Sequence, residues 1–120
     1  MDNKQIASIN ILGKDYTIME QNEFDDARLA RTNGYCDWSE QKIVIDENLS
    51  KRDNAMRIGN VEMCREKIIR HEIMHAFFMA SGLTQYSQDE TLVEWFATQA
   101  YEIFQAMSDA GAIKVTFSNE

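Results

Sequence analysis

His71-Glu72-Ile73-Met74-His75 contains both histidines of this 120-residue chain, four residues apart with a glutamate between them. A shuffle of the same composition yields this H-E-x-x-H pattern on the order of once in 700 trials, so two unrelated histidines explain it poorly. On an α-helix, positions i and i+4 lie about 5–6 Å apart at Cβ, and two imidazoles there can converge on one metal ion. Glu72 sits slightly further around the helix, where a carboxylate reaches a metal-bound water without binding the metal. The first expectations are therefore His71 and His75 as ligands, Glu72 as general base and Zn²⁺ as cofactor.

The surrounding sequence supplies the helix. Asn60 is a candidate N-cap, Glu62 suits the first turn, and Gly82 supplies a C-terminal stop, so a helix is predicted to run to about Ser81. It is apolar on more than one face (Ile68, Ile69, Ile73, Met74, Phe77, Phe78), which predicts a central, buried position. A short loop, 82–88, leads to a second helix, about Asp89 to Met107, with an apolar stripe from Leu92 to Phe104.

Upstream the pattern changes to strands. Ile6–Leu12 and Asp15–Met19 read as a hairpin, with Gly13-Lys14 fitting a type II′ turn. Residues 23–32 suit a short helix ended by Gly34. Tyr35–Trp38 and Lys42–Asp46 read as a second hairpin around Ser39-Glu40-Gln41. Residues 47–60 look like a polar surface loop, and Ile113–Phe117 alternate like an edge strand. Strands first and helices after predict a single α+β domain over residues 1–120.

Composition narrows the function. The net charge is −8 and no basic run exceeds Lys51-Arg52, which disfavours direct binding to nucleic acid. No apolar run approaches membrane-spanning length. Met1-Asp2-Asn3-Lys4 leads into strand-like sequence rather than a leader. Free thiols at Cys36 and Cys64, packed as small hydrophobes, and a cytoplasmic location are expected. Trp38 and Trp95 are expected in the core.

Catalytic zinc commonly takes three protein ligands and a water. Cys64 shares the face of His71 and His75 but lies roughly 10 Å along the axis. The second helix offers Glu90 and Glu94, one turn apart. If Ser87 and Glu90 form a capping box, Glu94 is left as the ligand. If Glu90 is the ligand, Glu94 can accept the outer ring N–H of a ligating histidine and fix its tautomer.

These residues resemble a known group. H-E-I-M-H-A, a short loop and Glu90-Thr-Leu-Val-Glu94-Trp-Phe-Ala97 are similar to the small gluzincin-type metallopeptidases. The likeness is greatest to the ImmA/IrrE-like family, and within it to the short members carried by phages and mobile elements. It extends from about Gly34 to Phe104, taking in Gly34-Tyr35-Cys36-Asp37 and Ile43-Val44-Ile45-Asp46, although the gap from His75 to Glu90 is short. The resemblance implies a zincin-like fold and Zn²⁺ on His71, His75 and Glu90, with Glu94 in support. It also implies an endopeptidase acting on a protein or peptide, such as a repressor, that docks as an added strand.

Peptide hydrolysis benefits from a further oxyanion donor, and Tyr86, in the loop after the metal helix, is the candidate best placed by sequence. Tyr101 lies about 16 Å beyond Glu90 along its helix. The competing function is a non-catalytic, zinc-containing protein-binding module that inhibits a host factor. A structural site has no need of Glu72, which favours the enzyme.

Overall fold

Period-two alternation folds the N-terminal segment into a hairpin, β1 (Lys4–Ile11) and β2 (Lys14–Gln21), whose inward side chains Ile11, Tyr16 and Ile18 are buried. In this computed structural model, residues 4–49 and 61–114 are described. The connecting turn is Leu12-Gly13, not Gly13-Lys14, and both central residues have positive φ (51° and 91°), which makes it type I′. Either turn keeps Ile9, Ile11, Tyr16 and Ile18 on one face, so alternation does not choose between them. Asn10 does. Its carbonyl oxygen accepts from Gly13 N (2.9 Å) and its amide donates to Asp15 Oδ1 (3.0 Å).

The helix predicted over 23–32 is only a single 3-10 turn, Ala27–Ala30. Asn22 is placed to cap a helix here, but Asp26 intercepts a backbone donor that a longer helix would use. Asn22 Oδ1 accepts from Phe24 N and Asp25 N, and Asp26 Oδ1 accepts from Arg28 N.

The second hairpin, β3 (Gly34–Asp37) and β4 (Lys42–Asp46), forms where its pattern predicts. β4 then lies parallel to β2, with Ile18 opposite Ile43, giving a mixed sheet of order β1-β2-β4-β3. β4 is the central apolar strand, and Ile43, Val44 and Ile45 are fully buried. Each such side chain contributes about 1.5–3 kcal/mol through burial. β3 is left at an edge, with no partner strand on its outer side among the described residues.

Asp37 closes the β3–β4 turn. Its Oδ1 accepts from Ser39 N, Ser39 Oγ and Glu40 N, and its Oδ2 from Arg28. The Ser39 hydroxyl and the Glu40 amide, then Arg28, hold its carboxyl below the ordinary value. A lowered carboxylate contributes stability above the unfolded pKa and loses it as pH falls through the folded one. Asp37→Asn should therefore flatten the acid-side loss of stability below about pH 4, as read by urea unfolding from neutral pH downward.

Among the described residues three α-helices follow the sheet; the first lies against it and the other two pack on the first, completing an α+β fold. Helix α1 (Val61–Ala80) ends at Gly82 (φ 78°), where Gly82 N donates to Met79 O and Leu83 N to Phe78 O. This paired arrangement satisfies the last carbonyls and needs glycine's left-handed backbone. The predicted N-cap, Asn60, and most of the predicted 47–60 loop lie outside the described residues, as does most of the predicted strand 113–117. The loop 82–88 contains a short helix, α2 (Thr84–Ser87), and α3 runs from Glu90 to Asp109.

α1 is central but not wholly buried, since Met63 and Phe77 are exposed and only Glu72 and Ala76 are fully covered. Ile69, Ile73 and Ala80 pack on the core formed by Ile11, Tyr16, Ile18, Ile43 and Ala76. α3 meets α1 through the buried Val93 and Ala97, and Arg70 Nε donates to the Ala97 carbonyl at 2.7 Å. At the sheet side, a Cβ on Gly34 would lie 2.9 Å from Ile68 Cγ2 and 3.1 Å from the Val44 carbonyl. Glycine there lets β3 approach α1 closely, which brings the edge strand beside the histidines. No helix among the described residues is long and apolar enough to cross a membrane.

Candidate metal centre

The α1 spacing brings the two imidazoles together, with Nε2 atoms 3.2 Å apart. α3 supplies a carboxylate between them. Glu90 Oε1 lies 2.9 Å from His71 Nε2, and Glu90 Oε2 lies 3.3 Å from His75 Nε2. One atom from each of His71, His75 and Glu90 falls within 4.8 Å of the other two, which is a group able to hold a metal ion.

The outer ring nitrogens are tied down. His71 Nδ1 lies 2.9 Å from Glu94 Oε1, and an ionised carboxylate only accepts, so Nδ1 carries the proton. His75 Nδ1 lies 3.1 Å from Ser87 Oγ, whose own hydrogen goes to the His75 carbonyl at 3.4 Å. His75 Nδ1 is therefore a donor too. In neutral imidazoles both Nε2 atoms then present lone pairs to each other and to Glu90. Three acceptors facing one another are unfavourable unless a cation or proton sits among them. Two nitrogens bound to one tetrahedral Zn²⁺ at ~2.0–2.1 Å are about 3.3 Å apart, close to what is observed.

These contacts place the two downstream acids differently. Glu94 has both oxygens engaged, Oε1 by His71 and Oε2 by Lys67 Nζ at 2.8 Å. Glu90 does not fold back onto Ser87. The N-cap of α3 is Asp89, which accepts from Leu92 N, so the capping box read at Ser87 does not form. Ser87 instead orients His75. The sequence reading missed that role because the Ser87-x-x-Glu90 spacing pointed to a cap.

Glu72 is buried at 7% exposure and lines the same cleft as His71, His75 and Glu90. Burial, assisted by the charge of Glu90 and opposed by His71, pushes its carboxyl up to about 7. A cation in the cleft would pull it down again. Burial holds His75 below its ordinary value, aided by His71 and opposed by Glu90 and Ser87, which favours the neutral, ligating form. Burial of Glu94 works against ionisation, but Lys67 and His71 outweigh it and its carboxyl lies below the usual range.

The cleft is open, with a volume of about 520 Å³, between β3 and the α1–α3 pair. Trp38, expected in the core, stands at its rim with 58% exposure; Trp95 is likewise exposed at 53%, edge-on to Phe96. Cys36 lines the cleft while packing on the core, and burial raises its thiol to about 12, so it stays protonated. Cys64 is also a free thiol and lines an adjoining cavity of about 290 Å³ that shares Gly34, His71 and Glu72 with the first.

Tyr86 is not among the residues lining either cavity; its ring packs beside Phe78 at 6.1 Å between centroids. Tyr35 does line the larger cleft, but its hydroxyl donates to Asp26 and accepts from Arg28. Arg28 also stacks over the Tyr35 ring, 3.9 Å from its centroid. Neither tyrosine therefore offers a spare hydroxyl to the site. The larger cleft is also lined by Thr84 and Gln88. Comparison of the chain with protein-family models, curated proteins and solved structures finds no match.

Proposed function

We propose that this chain is a zinc-dependent endopeptidase with a minimal zincin-like fold, acting on a protein substrate such as a regulatory or repressor protein. One observation carries the reading. The inner nitrogens of His71 and His75 and a Glu90 oxygen converge, while the outer ring nitrogens are engaged by Glu94 and Ser87. The likeness of the H-E-I-M-H-A and Glu90–Ala97 segments to ImmA/IrrE-like peptidases supports it.

His71, His75 and Glu90 would hold the ion. Zn²⁺ bound by two imidazoles and a carboxylate supplies Lewis acidity, lowering the pKa of a water to ~7 and polarising a carbonyl. Glu72 accepts a proton from the attacking water on its carboxylate and passes it to the nitrogen of the departing amine. Glu94 and Ser87 keep the imidazoles oriented through that cycle. The outer edge of β3 suits an extended peptide pairing as a fifth strand, with Trp38 beside it.

The test is a time course on a proteome-derived peptide library, scoring new termini by mass spectrometry. Cleavage should begin when Zn²⁺ is returned to chelator-stripped protein and stop on renewed chelation. Stoichiometric zinc with no cleavage of any peptide would overturn the enzyme reading and leave a zinc-containing binding module.

A further inference from the structure

Lys67 lies one helical turn before His71 on α1, so Lys67, His71 and His75 form one stripe at i, i+4 and i+8. Its ammonium reaches Glu94 Oε2 at 2.8 Å, and the other oxygen of that carboxylate takes the His71 Nδ1 proton at 2.9 Å. The chain Lys67–Glu94–His71 thus runs from α1 to α3 and back. Glu90 and Glu94 also sit one turn apart, and both carry oxygens within 2.9 Å of the His71 ring. The two acids flank one imidazole, Glu90 at Nε2 and Glu94 at Nδ1, and something has to keep them in those places.

We propose that Lys67 is a positioning residue for the metal centre: by holding the second oxygen of Glu94 it fixes that carboxylate on His71 Nδ1 and leaves Glu90 as the ligand. This rests on the metal reading above. A carboxylate free at one oxygen can rotate about its terminal torsion, which is broad and shallow. Anchoring both oxygens removes that freedom. The ammonium also balances the second negative charge beside the site, so that Glu94 stays an acceptor instead of repelling Glu90. Lys67 and Glu94 are both well exposed, at 40% and 45% of their side chains, so their ion pair adds little to fold stability. Its effect is on geometry at the metal.

Zinc affinity, measured by competition with a chromophoric chelator, reads this without any hydrolysis. Removing a group that orients a ligand commonly costs 10–100-fold in metal affinity. Lys67 acts one contact further out, and Lys67→Met should weaken zinc about tenfold. Lys67→Arg, which can still reach the carboxylate, should restore affinity to within about threefold of wild type. Glu94→Gln should also weaken zinc, and the double variant should lose little beyond the larger single loss, because both act through one contact. The Co²⁺-substituted protein should show a shifted visible band in Lys67→Met and a wild-type band in Lys67→Arg. Metal-free melting temperatures should match across wild type and all four variants. Wild-type affinity in Lys67→Met, or strictly additive losses, would overturn the assignment while leaving the metal site standing. Absence of zinc binding by wild type would overturn both.

Discussion

Glu72→Gln should keep its zinc and lower peptide hydrolysis by about 10²–10⁴-fold, the range a positioned general base contributes. The substitution preserves shape and removes only the ability to accept a proton. Glu72 is buried at 7% exposure and is not one of the three atoms grouped for a metal, so zinc stoichiometry should not change. Its carboxyl, raised to about 7 by burial, is costly to ionise in the metal-free chain. A neutral amide in the same place should leave the fold intact. The loss should fall on kcat and kcat/KM alike, with KM nearly unchanged, because the proton moves only in the transition state. Metal analysis beside steady-state kinetics checks it. A rate within threefold of wild type would remove Glu72 from the chemistry, and a loss of zinc would make it a ligand instead.

Stripping the metal should lower the melting temperature by a large step. The three candidate ligands come from α1 and α3, so an ion there adds a cross-link to the Val93–Ala97 face and the Arg70, Lys67 and His71 contacts that already join the two helices. At free zinc about a thousand times its Kd, binding to the folded state alone adds about 4 kcal/mol. For a chain of 120 residues that corresponds to roughly 12–20 °C. Calorimetry with and without chelator, followed by zinc repletion, checks it. Equal melting temperatures in all three states would remove the ion from the folded structure.

The two long helices were legible because their signals are local. Gly82 stops α1 through its positive φ, and α3 shows in its apolar stripe from Leu92 to Phe104, although its cap is Asp89 rather than Ser87. The convergence of His71 and His75 followed from i, i+4 spacing, which needs nothing beyond the helix itself. What the sequence could not show depends on competition between neighbours. Asn22 caps the start of such a helix, but Asp26 takes the Arg28 amide that a helix over 23–32 would need, so propensity there misled. The first turn moved by one residue because Asn10 bonds both Gly13 and Asp15, a local side-chain choice invisible to alternation. Trp38 and Trp95 look like core residues by type, yet edge position and helix face leave both in solvent.

At the site, the pairing of Glu94 with His71 was one of two open readings, and the structure shows that contact together with Asp89, not Ser87, as the cap of α3. Ser87 as partner of His75 depends on how α2 folds back over α1, which no spacing rule describes. Lys67 had a readable signal, four residues before His71 on the same helix face. Its meaning appears only once Glu94 is across from it.

X-ray absorption at the zinc edge, on protein loaded with one equivalent and dialysed, tests the metal centre most directly. The expected result is one zinc per chain in a nitrogen and oxygen shell at ~2.0–2.1 Å, with scattering from two imidazole rings. A sulfur shell at ~2.3 Å, marking Cys36 or Cys64 as ligand, or failure to retain stoichiometric zinc, would contradict a centre built from His71, His75 and Glu90.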